Sequence, residues 1–341
     1  MTTRSASAKE SGHEAKGNKS AAKRRESSQK SSDDESDNPQ KLGASERNSL
    51  IPTDDSDEII INDLHRLICT IDELPKDWIR KPYINTGYRL NMGGMGSIWS
   101  ICDRSHNDFY EIWSDLVPLI VFLGITSVQI SSDRFWNQCS YAMLLESGVY
   151  AGVILCRGLS FVYHVFNCCD IWSNHRMIYV DQLGITSMSL VSPYFYALAQ
   201  NRVDLCASVS AESFQIYTLM LMSVAFVSYI TFISALILQN ADWVVLVREP
   251  MLVTLAAIGN WAAINLLIDE SQPPLLRALS GGGCLVLCFG YAVFYTLRVP
   301  DRFTVSGDIG LKPWASHVLW HCCVGASQLL YIIVPYFYHD K

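Results

Sequence analysis

From Ile112 onward, long apolar runs alternate with short polar gaps. Seven runs can be placed, at 112–130, 139–167, 177–198, 213–237, 250–268, 275–297 and 315–338. Each is long enough as a helix to cross ~30 Å of hydrocarbon at about 1.5 Å per residue. The expected architecture is an all-α membrane protein, a bundle of seven transmembrane helices over 112–338. Pro193, Pro250 and Pro335 fall inside or beside these runs, which membrane bundles tolerate. Gly281, Gly282 and Gly283 read as a site of close helix packing.

The chain before the runs is different. Residues 1–57 are rich in Ser, Lys, Glu and Asp and nearly free of aromatics. Such a segment cannot bury enough apolar surface to offset its ordering entropy, so a disordered tail is expected. It is polar from its first residues, so no cleavable leader is expected. It holds an acidic serine stretch, Ser31–Asp37, suited to phosphorylation, and Glu46–Ile51, which resembles an acidic di-leucine sorting signal. Residues 58–111 form a juxtamembrane region. Within it Ile60, Leu64, Leu67 and Ile71 recur at three- and four-residue spacing, which predicts an amphipathic helix over 58–74.

Charge sets the orientation. Arg80, Lys81, Arg89 and Arg104 precede the first span, and Arg298, Arg302 and Lys312 lie between the sixth and seventh. Single arginines, Arg134, Arg202 and Arg277, follow the first, third and fifth. The excess of positive charge puts the N-terminus in the cytosol and, after seven crossings, the C-terminus outside. The 11 cysteines show no framework spacing. Cys139 and Cys206 would share the outer side, but spacing alone cannot pair them and both are expected free.

Three histidines sit in these apolar runs: His164, His317 and His321. Ionisable groups in lipid-spanning helices are costly and usually functional. The topology brings all three to the cytosolic leaflet, together with Asp181 and Ser160. His317 and His321 are one helical turn apart on one face. Three imidazoles suit Zn2+ and leave a fourth position for water. Asp181 is the candidate base or water holder, and Ser160 a group that orients a ligand or substrate oxygen. His65, His106, His175 and His339 lie in tails or loops and are expected at the surface. Arg157 and Glu146, about three turns apart in the second run, are the other costly residues. A proton path through them would need an unwound helix pair, which the sequence lacks.

The same residues carry a family resemblance over roughly 79–338. Ser97–Ile101, His106–Asp108 and Ile112–Leu116 form one block. Ser160–Cys168 with Asp181–Ile185 form the second, and Arg298–Phe303 with Ser316–His321 the third. The chain resembles the progestin and adipoQ receptor (PAQR, haemolysin III-like) family. Pro82–Arg89 and Trp320 are most similar to its Golgi-resident, Raf-kinase-trapping subgroup. The resemblance implies zinc on His164, His317 and His321, with Asp181 and Ser160 beside it. It also implies a receptor in signalling or lipid metabolism, with a latent hydrolase of lipid amides such as ceramide. The alternative is a non-enzymatic Golgi scaffold that tethers a kinase or sorting partner through its cytosolic N-terminal region. Membrane lipids and a lipid or protein ligand are the expected partners, in the Golgi or plasma membrane, with no nucleic acid. Asp108, Glu111 and Asp115 depart from the family's usual Glu, Asn and His. An arginine such as Arg176 is one candidate partner for these acids, and solvation the alternative.

Overall fold

A computed structural model describes residues 68–199, 205–238, 242–304 and 306–338. The tail, its serine stretch and its sorting-like motif lie outside the described residues, as do His65 and His339. The elements are β1 (Ile68–Cys69), β2 (Tyr88–Arg89), α1 (Gly93–Trp99), α2 (Phe109–Ile130), α3 (Asp133–Asn137), α4 (Ser140–Phe166), α5 (Ile171–Arg176), α6 (Ile178–Ser187) and α7 (Ser192–Ala199). They continue with α8 (Leu205–Val209), α9 (Glu212–Ile237), α10 (Asp242–Ile268), α11 (Pro274–Gly290) and α12 (Ser316–Tyr338).

Among the described residues, six helical segments, in α2, α4, α9, α10, α11 with its extension, and α12, are long and apolar enough to cross a membrane. The expected third run is helical but broken. A 3-10 segment, Met188–Val191, separates α6 from α7, so neither piece alone has spanning length. Pro193 stands in the first turn of α7, where its missing N–H costs nothing.

The outward faces are apolar. Val117, Ile120, Val121 and Val128 of α2 and Leu219, Phe226, Val227 and Ile230 of α9 are exposed. The interior holds Asp115, Glu146, Arg157, His164 and Gln328, all buried. Apolar groups outside and polar groups inside suit a lipid solvent. Helix α4 is central and packs on α2, α6, α7 and α12. Glycine lets α11 fit between its neighbours. A Cβ on Gly281 would lie 2.4 Å from Leu267 of α10, and one on Gly283 would lie 2.9 Å from Tyr331 of α12. The close packing read from the glycine run is present.

The helix expected over 58–74 is corrected in its described part. Ile68 and Cys69 pair antiparallel with Arg89 and Tyr88, and residues 58–67 lie outside the described residues. Of the four spaced residues only Ile71 is described, and it packs against a small core of Leu74, Trp78, Ile84, Tyr88 and Ile309. Thr86 Oγ1 donates to Asp308 Oδ1 at 2.9 Å, which ties this segment to the chain before α12.

Cys139 and Cys206, expected free, form a disulfide across a Cα–Cα distance of 6.4 Å. The fold brings the start of α4 against α8, a proximity that sequence spacing does not reveal.

Candidate metal centre and cavity

His164 lies in the last turn of α4, while His317 and His321 lie in the first two turns of α12. Their rings meet, with centroids 5.4 Å (His164–His317), 5.0 Å (His164–His321) and 4.6 Å (His317–His321) apart. One ring nitrogen of each lies within 4.8 Å of the others, a group that could hold a metal ion. His164 and His321 are buried, and His317 is half-buried.

Local anchors fix both helix ends. Ser316, the first residue of α12, donates from its backbone N to Asp301 Oδ1 at 2.7 Å and from its hydroxyl to Asp301 Oδ2 at 2.5 Å. A carboxylate at a helix start satisfies free N–H groups and suits the helix dipole. At the other end, Arg89 Nη2 donates to the His164 carbonyl at 2.5 Å and to Asp108 Oδ2 at 2.9 Å. An arginine at a helix C-terminus satisfies carbonyls that have no partner within the helix.

A second group, Asp108, Glu111 and His164, also has ligand atoms within 4.8 Å of one another. Lys81 already supplies its positive charge. Lys81 Nζ lies 2.5 Å from Asp108 Oδ1 and 2.6 Å from Glu111 Oε2. Burial alone would lower the Lys81 pKa, but the two carboxylates hold it above its ordinary value. Burial would raise Asp108, yet Lys81 and Arg89 hold its carboxyl well below the usual carboxylate range. Among the described residues, no lysine or arginine side chain is hydrogen-bonded to a ring nitrogen of the three-histidine group. Both nitrogens of His164 and Nδ1 of His317 are buried without a hydrogen-bond partner. Buried imidazole nitrogens left in this state fit a bound metal ion.

A cavity of about 480 Å³ adjoins this end of the bundle. His321, Asp181, Ser160, Asp115, Arg157, Glu249 and Asn260 form its polar part, and the rest is mostly apolar. Ser160 and Asp181 face this same cavity from α4 and α6. A π-helical stretch, Tyr291–Thr296, extends α11 and turns Tyr291 and Tyr295 into the same space. Such stretches are frequent at functional sites. The size and lining suit a small ligand with an apolar body and one polar end.

Other residues fall differently from expectation. His106 is not at the surface but fully buried. Its Nε2 pairs with the Ser100 carbonyl at 2.8 Å, and the Asp108 N–H donates to Nδ1. His175 is exposed, as expected. The first-block acids do not pair with Arg176, which binds backbone carbonyls of Ala235, Leu236 and Leu238. They are buried among Lys81, Arg89 and Arg157 instead. Glu146 is bound by Arg134, Gln138 and Tyr150. Arg157 is bound by Asp115, Gln328 and the His321 carbonyl. Glu146 and Arg157 therefore belong to two separate networks. Sequence reading missed Lys81, Arg89 and Asp301, since each lies outside the apolar runs. Their charge beside a membrane boundary was the available signal.

Residues 104–332, well over half of the chain, match the haemolysin-III related family. Adiponectin receptor protein of Drosophila melanogaster is 24% identical over 280 residues, 77% of this chain and 58% of that protein. Progestin and adipoQ receptor-like protein 1 of Caenorhabditis elegans is 23% identical over 273 residues, 74% of this chain and 56% of that protein. An uncharacterized protein of Schizosaccharomyces pombe is 28% identical over 137 residues, 39% of this chain and 30% of that protein. The chain thus spans less than two thirds of the length of these relatives. With six spanning-length helices and a buried histidine cluster at one end of the bundle, the chain belongs to the haemolysin-III related family.

Proposed function

We propose that the protein is a multi-pass membrane receptor of the PAQR type with zinc on His164, His317 and His321. In this reading it also carries a latent hydrolase site for lipid amides of the ceramide kind. The observation that carries the reading is the histidine trio, one member of which, His321, lines a mostly apolar cavity that also holds Asp181 and Ser160. Two relatives bear receptor names, adiponectin receptor and progestin and adipoQ receptor-like, which supports a receptor role here.

Zinc bound there would polarise a carbonyl and lower the pKa of a bound water. The apolar walls, Leu252, Ala256, Leu287 and Val324 among them, would hold an acyl chain and exclude bulk water. Asp181 would hold the attacking water and take its proton, with Ser160 orienting the carboxylate. The amide bond would break with proton transfer to the leaving amine, giving a fatty acid and a free amine.

In this reading the broken run through α6 and α7 is the seventh crossing. The N-terminus is cytosolic and the C-terminus outside, as the charge pattern predicts. The disulfide supports that orientation. Cys139 lies at the opposite end of α4 from His164, and disulfides persist in oxidising compartments. The histidine end then faces the reducing cytosol.

Metal analysis of the purified wild type against a His317→Ala, His321→Ala double variant tests the site. About one zinc per chain in the wild type and none in the variant is expected. Equal zinc in both would remove the site.

A further inference from the structure

Two of the three histidines are each backed by a carboxylate, and each carboxylate is held by a cation. His164 Nδ1 lies 3.1 Å from Glu111 Oε2, whose other neighbour is Lys81 Nζ at 2.6 Å. His321 Nδ1 lies 3.3 Å from Asp115 Oδ2, and Arg157 donates to Asp115 Oδ1 at 2.7 Å. Ser114 Oγ is also 2.8 Å from His321 Nδ1. Both carboxylates stand close behind the rings without a formed hydrogen bond: Asp115 Oδ2 and both His164 nitrogens have no hydrogen-bond partner, and the partner of His321 Nδ1 is Ser114 Oγ. His317 differs, since its buried Nδ1 has no partner among the described residues.

A neutral imidazole can bind a metal through one nitrogen only if the other carries the proton, and an acceptor behind that N–H fixes both tautomer and ring orientation. A buried carboxylate can serve as that acceptor only if a nearby cation compensates its charge. Lys81 compensates Glu111, and Arg157 compensates Asp115. Arg157 also donates to the His321 carbonyl at 2.9 Å and to Gln328 Oε1 at 2.6 Å, so each of its three nitrogens has an acceptor. An acceptor on the Nδ1 side makes Nε2 of His164 and of His321 the nitrogen left for an ion.

We infer that Glu111 and Asp115 are positioning residues for the metal. They hold the Nδ1–H forms of His164 and His321 and present Nε2 of each to the ion. Lys81 and Arg157 keep the two carboxylates in place as acceptors. The inference rests on the zinc reading proposed above.

The test uses the full-length chain in detergent and compares four variants with the wild type by chelator competition for Zn2+. Asp115→Asn and Glu111→Gln keep an acceptor oxygen and lose the charge. The paired changes Asp115→Leu with Arg157→Met, and Glu111→Met with Lys81→Met, remove each carboxylate and its cation together. This avoids an uncompensated buried charge. The paired variants are expected to bind Zn2+ about 10–100-fold more weakly, and the amide variants to stay within a few-fold of wild type. Thermal unfolding of the metal-free forms separates this from a general loss of structure, because a merely structural role would move that midpoint instead. Wild-type affinity in both paired variants overturns the inference and leaves the zinc reading intact. An equal loss in amide and paired variants also overturns it. Absence of zinc from the wild type overturns the zinc reading itself, and this inference with it. If the paired variants do not fold, the Co2+ ligand-field spectra of the amide variants decide. Bands matching wild type support positioning by the acceptor oxygen, and shifted bands overturn it.

Discussion

Arg157 Nη1 donates to Asp115 Oδ1 at 2.7 Å, joining α4 to α2 inside the bundle with both side chains almost completely buried. Removing one partner of such a pair strands the other charge, which costs roughly 3–5 kcal/mol, whereas replacing both by apolar residues is often neutral. Arg157→Met alone is therefore expected to lower the thermal midpoint sharply. Arg157→Met with Asp115→Leu should recover most of the loss. A double variant no more stable than the single one would show that the pair is not what holds these helices together.

Asp181 tests chemistry apart from metal binding. Asp181→Asn is expected to keep zinc and to lose lipid-amide turnover by roughly 10²-fold or more, the usual scale of a lost acid–base group. The measurement is zinc content beside fatty-acid release from a ceramide. Undiminished release would assign the proton step to another group.

His106 gives a pH signature away from the metal. Burial, and then the Arg89 charge, push its pKa from 6.5 down to about 4. The folded protein therefore holds this ring neutral where the unfolded chain would protonate it. Its contribution to stability is complete above about pH 6.5 and is lost as pH falls toward 4, a loss of roughly 3 kcal/mol. Thermal midpoints of wild type and His106→Gln, followed from pH 7.5 to 4.5, should show the steeper fall in the wild type. Parallel curves would mean that the ring does not titrate in this window.

The Cys139–Cys206 bond predicts a compartment as well as a stability effect. Alkylation without reductant should leave both thiols unmodified, and reduction should expose them. Cys139→Ser is expected to cost about 2–4 kcal/mol, the common range for a native disulfide. Complete alkylation of both cysteines before reduction would refute the bond.

The sequence by itself determined the membrane character and the identity of the candidate metal residues. Apolar runs of spanning length leave few soluble solutions, and α2, α4, α9, α10, α11 and α12 stand where those runs predict helices. His164, His317 and His321 were legible because an imidazole in such a run is costly enough to need a reason. Tertiary structure decided what stands behind them. Lys81, Arg89 and Arg157 lie 19 to 42 positions from the acids they meet, Asp108, Glu111 and Asp115, and a charge shows its partner only when the fold removes both from water. The same holds for Ile68–Leu74. Three- and four-residue apolar spacing fits a helix, but β1 pairs with β2 and Leu74 enters a small core with Trp78 and Ile309. Local periodicity is a weak preference that long-range packing overrides. Cys139 and Cys206 follow the same rule, since a disulfide depends on the distance between Cα atoms, which only the folded chain sets.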